Sequence, residues 1–309
     1  MSVMSRTGAT TGINFRIFRP NMRILFIGTA ELAGPCLEAV HRLTGHELIG
    51  VITQPDKPKG RSLQLSPPPV KVAAGKLGLP VSQPVKIREA VETIRAQRPD
   101  LIVVVAYGQI LPKALLEIPA RGCINVHTSL LPRWRGASPI QSAILAGDSE
   151  TGVTTMFMDE QLDHGDIILQ RREPIRPDDT GATLHDRLAT LGAELLTETL
   201  TFADWPRRQQ DEAQVTHARK FTKADGRIDW TKSAVEIDRQ VRAFNPWPGA
   251  STDRDGTLLK IWKVELLSAP ATGADIVNTG NGALRLLEVQ PAGGKRMSFA
   301  AYARGRKLE

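Results

Sequence analysis

"LIVVVAYG" (101–108) opens with five aliphatic residues and no polar one among them. A strand with one face in water alternates apolar and polar side chains, whereas an unbroken β-branched run is a strand covered on both faces. Working outward, "MRILFIG" (22–28), "HELIGVITQ" (46–54) and "CINVH" (123–127) read as further strands. Between and after them, segments near 31–43, 70–77, 88–98, 112–117 and 138–147 read as helices. Alternating strands and helices predict an α/β fold with a doubly wound, mainly parallel sheet and right-handed crossovers. Ligands of such sheets bind beyond the carboxyl ends of the strands, where Gly108, Asn125 and His127 are expected.

Downstream, "VTTMFMDEQLDHGDIILQRREPI" (153–175) reads as two strands joined by an acidic turn, and a helix near 183–203 closes the unit. "DWPRRQQDEAQ" (204–214) has the composition of a linker. After it, "GRIDW", "TLLKIWKVELL" and "GALRLLEVQPAGGKRMS" read as short strands between Gly, Asn and Asp turns, suggesting a small β-barrel. Residues 212–309 hold 16 Lys/Arg against 11 Asp/Glu, a net charge of +5. The expected organisation is a disordered extension (1–21), a catalytic domain (22–204), a linker (205–211) and a C-terminal barrel (212–309). The extension carries three arginines and no acid, but no sustained apolar segment follows it as in a targeting peptide.

Composition narrows the options. With 309 residues, two domains are expected, and 41% hydrophobic residues suit a globular chain. No apolar run approaches the roughly 20 residues that span a bilayer. Cys36 and Cys123 lie in apolar sequence and read as reduced core thiols of a cytoplasmic protein. The charge of +7 hints at a polyanionic partner.

Asn125 and His127 are two residues apart and leave the same face of their strand. An amide and an imidazole there can donate hydrogen bonds to an oxygen gaining negative charge; they could equally satisfy nearby backbone groups. "MDEQLDHGD" offers Asp159, Asp163 and Asp166, of which one could orient the imidazole, though aspartates also simply form turns. No serine or cysteine occupies a nucleophile elbow, and neither Asn125 nor His127 has partners at metal-ligand spacing. "GTAELAGP" (28–35) has Ala30 where a dinucleotide fingerprint needs its second glycine, which argues against a dehydrogenase. Direct acyl transfer remains.

"CINVHTSLLPRWRGASPIQ" together with "MDEQLDHGD" resembles the folate-dependent formyltransferases. Asn-x-His, Ser-Leu-Leu-Pro and Leu-Asp-x-Gly-Asp follow in the family's order; Thr128 departs from the Gly or Ala usual after the His. The resemblance implies a Rossmann-like catalytic domain and an OB-like barrel, with Asn125, His127 and Asp163 catalytic. It places 10-formyltetrahydrofolate against Ser129, Leu130, Leu131 and Pro132 and against loops near 104–111 and 159–166. "TQPDKPKGRSLQLSPPPVK" is similar to the insertion loop of members that act on methionyl-initiator tRNA. Lys57, Lys59 and Arg61 there, and Lys295 and Arg296 in the C-terminal unit, are the implied tRNA contacts. A monomer without metal is expected. A formyltransferase for a small amine would share the trio but not need the insertion loop, and a non-catalytic RNA-binding protein would need only the basic unit.

Overall fold

The computed structural model describes residues 21–59, 64–254 and 256–304. The first unit runs β1 (Met22–Gly28), α1 (Ala33–Arg42), β2 (His46–Ile52), β3 (Lys57–Lys59), β4 (Gln64–Ser66), α2 (Pro69–Lys76), β5 (Val81–Ser82), α3 (Val91–Gln97), β6 (Leu101–Val105) and α4 (Lys113–Leu116). It continues with β7 (Cys123–His127), β8 (Arg135–Gly136), α5 (Pro139–Ala146), β9 (Glu150–Phe157), β10 (Ile167–Pro174) and α6 (Gly181–Thr201). The remainder holds β11 (His217–Ala218), α7 (Ala234–Ala243), β12 (Ala250–Arg254), β13 (Thr257–Leu267), β14 (Ile276–Asn278), β15 (Ala283–Pro291), β16 (Met297–Ser298) and α8 (Phe299–Arg304).

Seven strands form one sheet in the order β10-β9-β7-β6-β1-β2-β5. Pairing is parallel from β7 to β5; β9 runs antiparallel to β7 and β10. The aliphatic strands are buried on both faces, and their residues divide by parity. Ile24, Phe26, Leu101, Val103, Val105, Ile124 and Val126 enter one core with α1 and α6. Leu25, Ile27, Ile102, Val104 and Cys123 enter the other, beneath α3 and α4. Helices on both faces explain why no polar residue interrupts 24–27 or 101–105. Burial also pushes the thiols of Cys36 and Cys123 up to about 12, leaving them protonated and unreactive.

The C-terminal unit differs from the expected barrel. β12-β13-β15-β14 form an antiparallel sheet with β16 added beside β15, and no pairing among the described residues closes it. "GRIDW" is not a strand. It follows a short 3-10 turn, and only Arg227 bridges to Ser251, with the Ile228 amide donating to the Ser251 carbonyl at 2.8 Å. That contact occupies the outer edge of β12. The sheet buries its apolar face against helices: Ile237 and Val241 of α7 and Phe299 and Tyr302 of α8 share a core with Ile261, Leu284 and Leu286. Phe221 and Phe244 join the core of the first unit instead, their ring centres 5.0 Å apart.

Candidate active site

Cys123 opens β7 inside the core beneath α3 and α4, so parity carries Asn125 and His127 onto that same face. Asn125 pairs with Val104, one residue before the end of β6. From Cys123 to Asn125 and His127 the strand face turns from apolar to polar.

The loop after β9 folds back over this spot. Asp163 Oδ1 accepts from Asn125 Nδ2 at 3.5 Å, and Asp163 Oδ2 lies 3.6 Å from His127 Nδ1. The side chains of His127 and Asp163 are only 7% and 13% exposed. The structure therefore brings all three residues of the expected trio together. His127 Nε2 is 2.9 Å from the Trp134 carbonyl. A carbonyl can only accept, so Nε2 carries a hydrogen and Nδ1 is the ring nitrogen free to gain or lose a proton.

Two strained residues complete the arrangement. Trp134 has φ +63° and Asp163 has φ +50°, left-handed conformations that cost a bulky residue most. Trp134 is held by its amide donating to Thr216 Oγ1 at 2.9 Å and its indole donating to Asp148 Oδ2 at 2.8 Å. The Gly136 amide donates to Asp163 Oδ2 at 2.8 Å. β8 and β11 pair in parallel, Arg135 with His217 and Gly136 with Ala218. At Gly136, φ is +124° and a β-carbon would stand 2.4 Å from the Ala218 carbonyl, so only glycine fits.

Beyond the trio, Ser129–Pro132 turns its polar groups inward. Ser129 is fully buried, its hydroxyl donating to the Arg133 carbonyl at 2.6 Å. Thr154 Oγ1 donates to the Ser129 carbonyl and accepts from the Leu131 amide, while the Leu131 side chain is buried beside Met156 and Ile167. Leu130 is the half-buried member of that segment's aliphatic pair. Lys57 and Lys59 lie on β3 of the insertion loop, with Lys57 Nζ donating to Gln54 Oε1; Arg61 falls outside the described residues. Gln54 in turn donates to the Tyr107 carbonyl at 2.7 Å, tying this loop to the end of β6. Lys295 and Arg296 are exposed on the C-terminal unit, Arg296 pairing with Glu288 at 2.8 Å and lying over the Trp262 ring. The sequence reading missed Gln210, Arg135 and Thr216, whose contacts hold the trio's two turns; the crowded "RWRGA" was the nearest signal.

Comparison with known proteins fits this geometry. The family described as Formyl transferase matches residues 22–200, and its C-terminal domain matches 220–307. The methionyl-tRNA formyltransferase of Geotalea uraniireducens is 48% identical over 301 residues, covering 93% of this chain and 96% of the relative. That of Methylococcus capsulatus is 51% identical over 302 residues, covering 93% and 98%. The chain belongs to the methionyl-tRNA formyltransferase family. Among solved structures, HypX from Aquifex aeolicus in complex with tetrahydrofolic acid shares the formyltransferase's fold, with a TM-score of 0.63 at 19% identity. The alignment covers 92% of this chain and 47% of HypX. No helix among the described residues is long and apolar enough to cross a membrane, and no three His, Cys, Asp or Glu among them could together hold a metal ion.

Proposed function

We propose that this enzyme transfers the formyl group of 10-formyltetrahydrofolate to the α-amine of methionyl-initiator tRNA, for translation initiation in the cytoplasm, acting as a monomer. The observation that carries the chemistry is the convergence of Asn125 and His127 on Asp163, at 3.5 and 3.6 Å. The amine attacks the formyl carbon and a C–N bond forms; the formyl oxygen becomes an oxyanion. Asn125 Nδ2 and a protonated His127 Nδ1 are the donors available to it, preorganised in a water-poor site. Asp163, 3.6 Å from Nδ1, keeps the ring in place. As the intermediate collapses, the bond to N10 of the folate breaks. The proton lost by the amine balances the one gained at N10, and Nδ1 can carry a proton between them.

Folate binding falls to the loops 104–111 and 159–166 and to Ser129–Pro132. Support comes from Ile110, left 81% exposed in the loop after β6, and from the Tyr107 hydroxyl, buried with no hydrogen-bond partner among the described residues. For Ser129–Pro132 the inward polar groups leave Leu130 as the contacting side chain. Lys57, Lys59 and Arg61 would grip the acceptor stem, and Lys295 and Arg296 would meet phosphates from the C-terminal sheet, the counterpart of an OB-like unit. Arginine suits the first role because its fork pairs with phosphate and stacks on bases.

The test is transfer of a labelled formyl group to charged initiator tRNA, with glycinamide ribonucleotide as the competing acceptor. Label on the tRNA alone is expected; label on the small amine alone would overturn the reading.

A further inference from the structure

We infer that Gln210 is a positioning residue for formyl transfer, its carboxamide holding the Asp163 turn in register with Asn125 and His127. This rests on the function proposed above. Gln210 Nε2 donates to the carbonyls of Asp163 and Gly165 at 2.8 and 2.9 Å. Gln210 Oε1 accepts from Arg135 Nε at 2.9 Å. Flipping the amide would set its oxygen against two carbonyls and its NH2 against a guanidinium, so the chemistry of the partners fixes its orientation. Arg135 is buried and is itself fixed by a two-pronged pair with Glu212, at 2.7 and 3.3 Å.

The turn needs this grip. Asp163 sits in the left-handed region, and Gly165 has no room for a side chain because a β-carbon there would meet the Phe157 carbonyl at 2.1 Å. The carbonyls flanking His164 both point inward, and the Gln210 amide donates to each of them. Just upstream, Arg208 exchanges backbone hydrogen bonds with Ile167 at 3.0 and 2.8 Å, which fixes where Gln210 enters. A relay thus runs from Glu212 through Arg135 and Gln210 to the backbone that aims the Asp163 carboxylate. A small displacement of a catalytic group is enough to cost about 10²-fold in rate.

The experiment compares wild type, Gln210→Ala and Gln210→Glu, each alone and combined with Asp163→Asn. Gln210→Glu keeps an acceptor for Arg135 and loses both donors, which preserves the packing if the alanine variant unfolds. Steady-state kcat and KM for folate and for charged tRNA are measured on protein checked by thermal unfolding. The expected result is a kcat lower by roughly 10- to 100-fold with the KM for charged tRNA changed by less than about threefold, and no further loss in the Asp163→Asn background. Unchanged kcat in folded Gln210→Glu would overturn the inference, as would a full multiplicative loss on top of Asp163→Asn. Wild-type activity and its loss in Asp163→Asn test the function separately, so a silent Gln210 variant beside an impaired Asp163→Asn sinks this inference alone.

Discussion

In the catalytic unit each of the charged contacts that matter has a buried member. Asp163 faces His127, Arg135 is forked onto Glu212, and Asp179, 3% exposed, accepts from Arg187, Thr183 and the Arg176 amide. The C-terminal sheet wears its charges outside: Arg285 and Glu265 pair at 2.8 Å with side chains 40% and 50% exposed, and Arg296 with Glu288 is similar. Removing one partner of a buried pair leaves a desolvated charge, whereas an exposed pair is worth about 0–1 kcal/mol. Single changes at these buried groups should therefore be severe and interdependent, and at the exposed pairs mild and additive.

The sharpest test of that contrast is the trio. Asn125→Ala and Asp163→Ala should each lower kcat by about 10²–10³ or more while the fold persists, the usual cost of losing a preorganised oxyanion donor or its support. Near-normal turnover in either folded variant would remove that residue from the mechanism and blur the contrast.

Next in size is Asp179, which joins β10 and α6 and whose carbonyl accepts from Arg242 of α7. Burial alone would raise its carboxyl, but hydrogen bonds from Arg187, the Arg176 amide and Thr183 outweigh it and hold the group at about 2. An unfolded aspartate titrates near 3.9, so the folded state gains from ionisation above that value and loses the gain as pH falls through 2; the amount is roughly 2 kcal/mol. Urea denaturation should show Asp179→Asn destabilised at pH 7, with the difference shrinking below pH 4. A difference that stays constant down to pH 2 would mean the carboxylate's charge is not what stabilises.

The smallest effect belongs to the open side of the comparison. Lys295→Ala with Arg296→Ala should leave kcat for bound substrate intact and weaken tRNA binding modestly. The slope of log affinity against log salt should fall by about one for each phosphate that the pair no longer neutralises. An unchanged slope would reduce these residues to a solvated surface.

How much of this was legible in sequence follows the range of the interactions. β6 announces itself because burial on both faces forbids polar interruption, β1 and β7 read as strands from their aliphatic residues, and the two-residue step from Asn125 to His127 is local geometry. Asp163 joined them through its motif rather than through any periodicity. Gln210 was invisible: an uncharged side chain in a polar stretch gives no hint of partners 45 to 47 residues away. The open sheet was misread as a barrel because closure depends on which distant edges pair, and Arg227 takes the edge that closure would need. α7 could have been found, since Ser233 and Glu236 form a reciprocal capping box at its start.

The pairing of β8 with β11 has a consequence for how the protein is made. Translation delivers every strand of the large sheet once Pro174 has left the ribosome, and α6 once Thr201 has. Gln210, Thr216 and Ala218, which fix the turns around Asp163 and Trp134, arrive later and must pair with elements synthesised before them. The strands are synthesised before the residues that aim the site. A product terminated after Thr201 would carry Asn125, His127 and Asp163 and still be expected to turn over nothing, because the residues that aim them had not yet been synthesised.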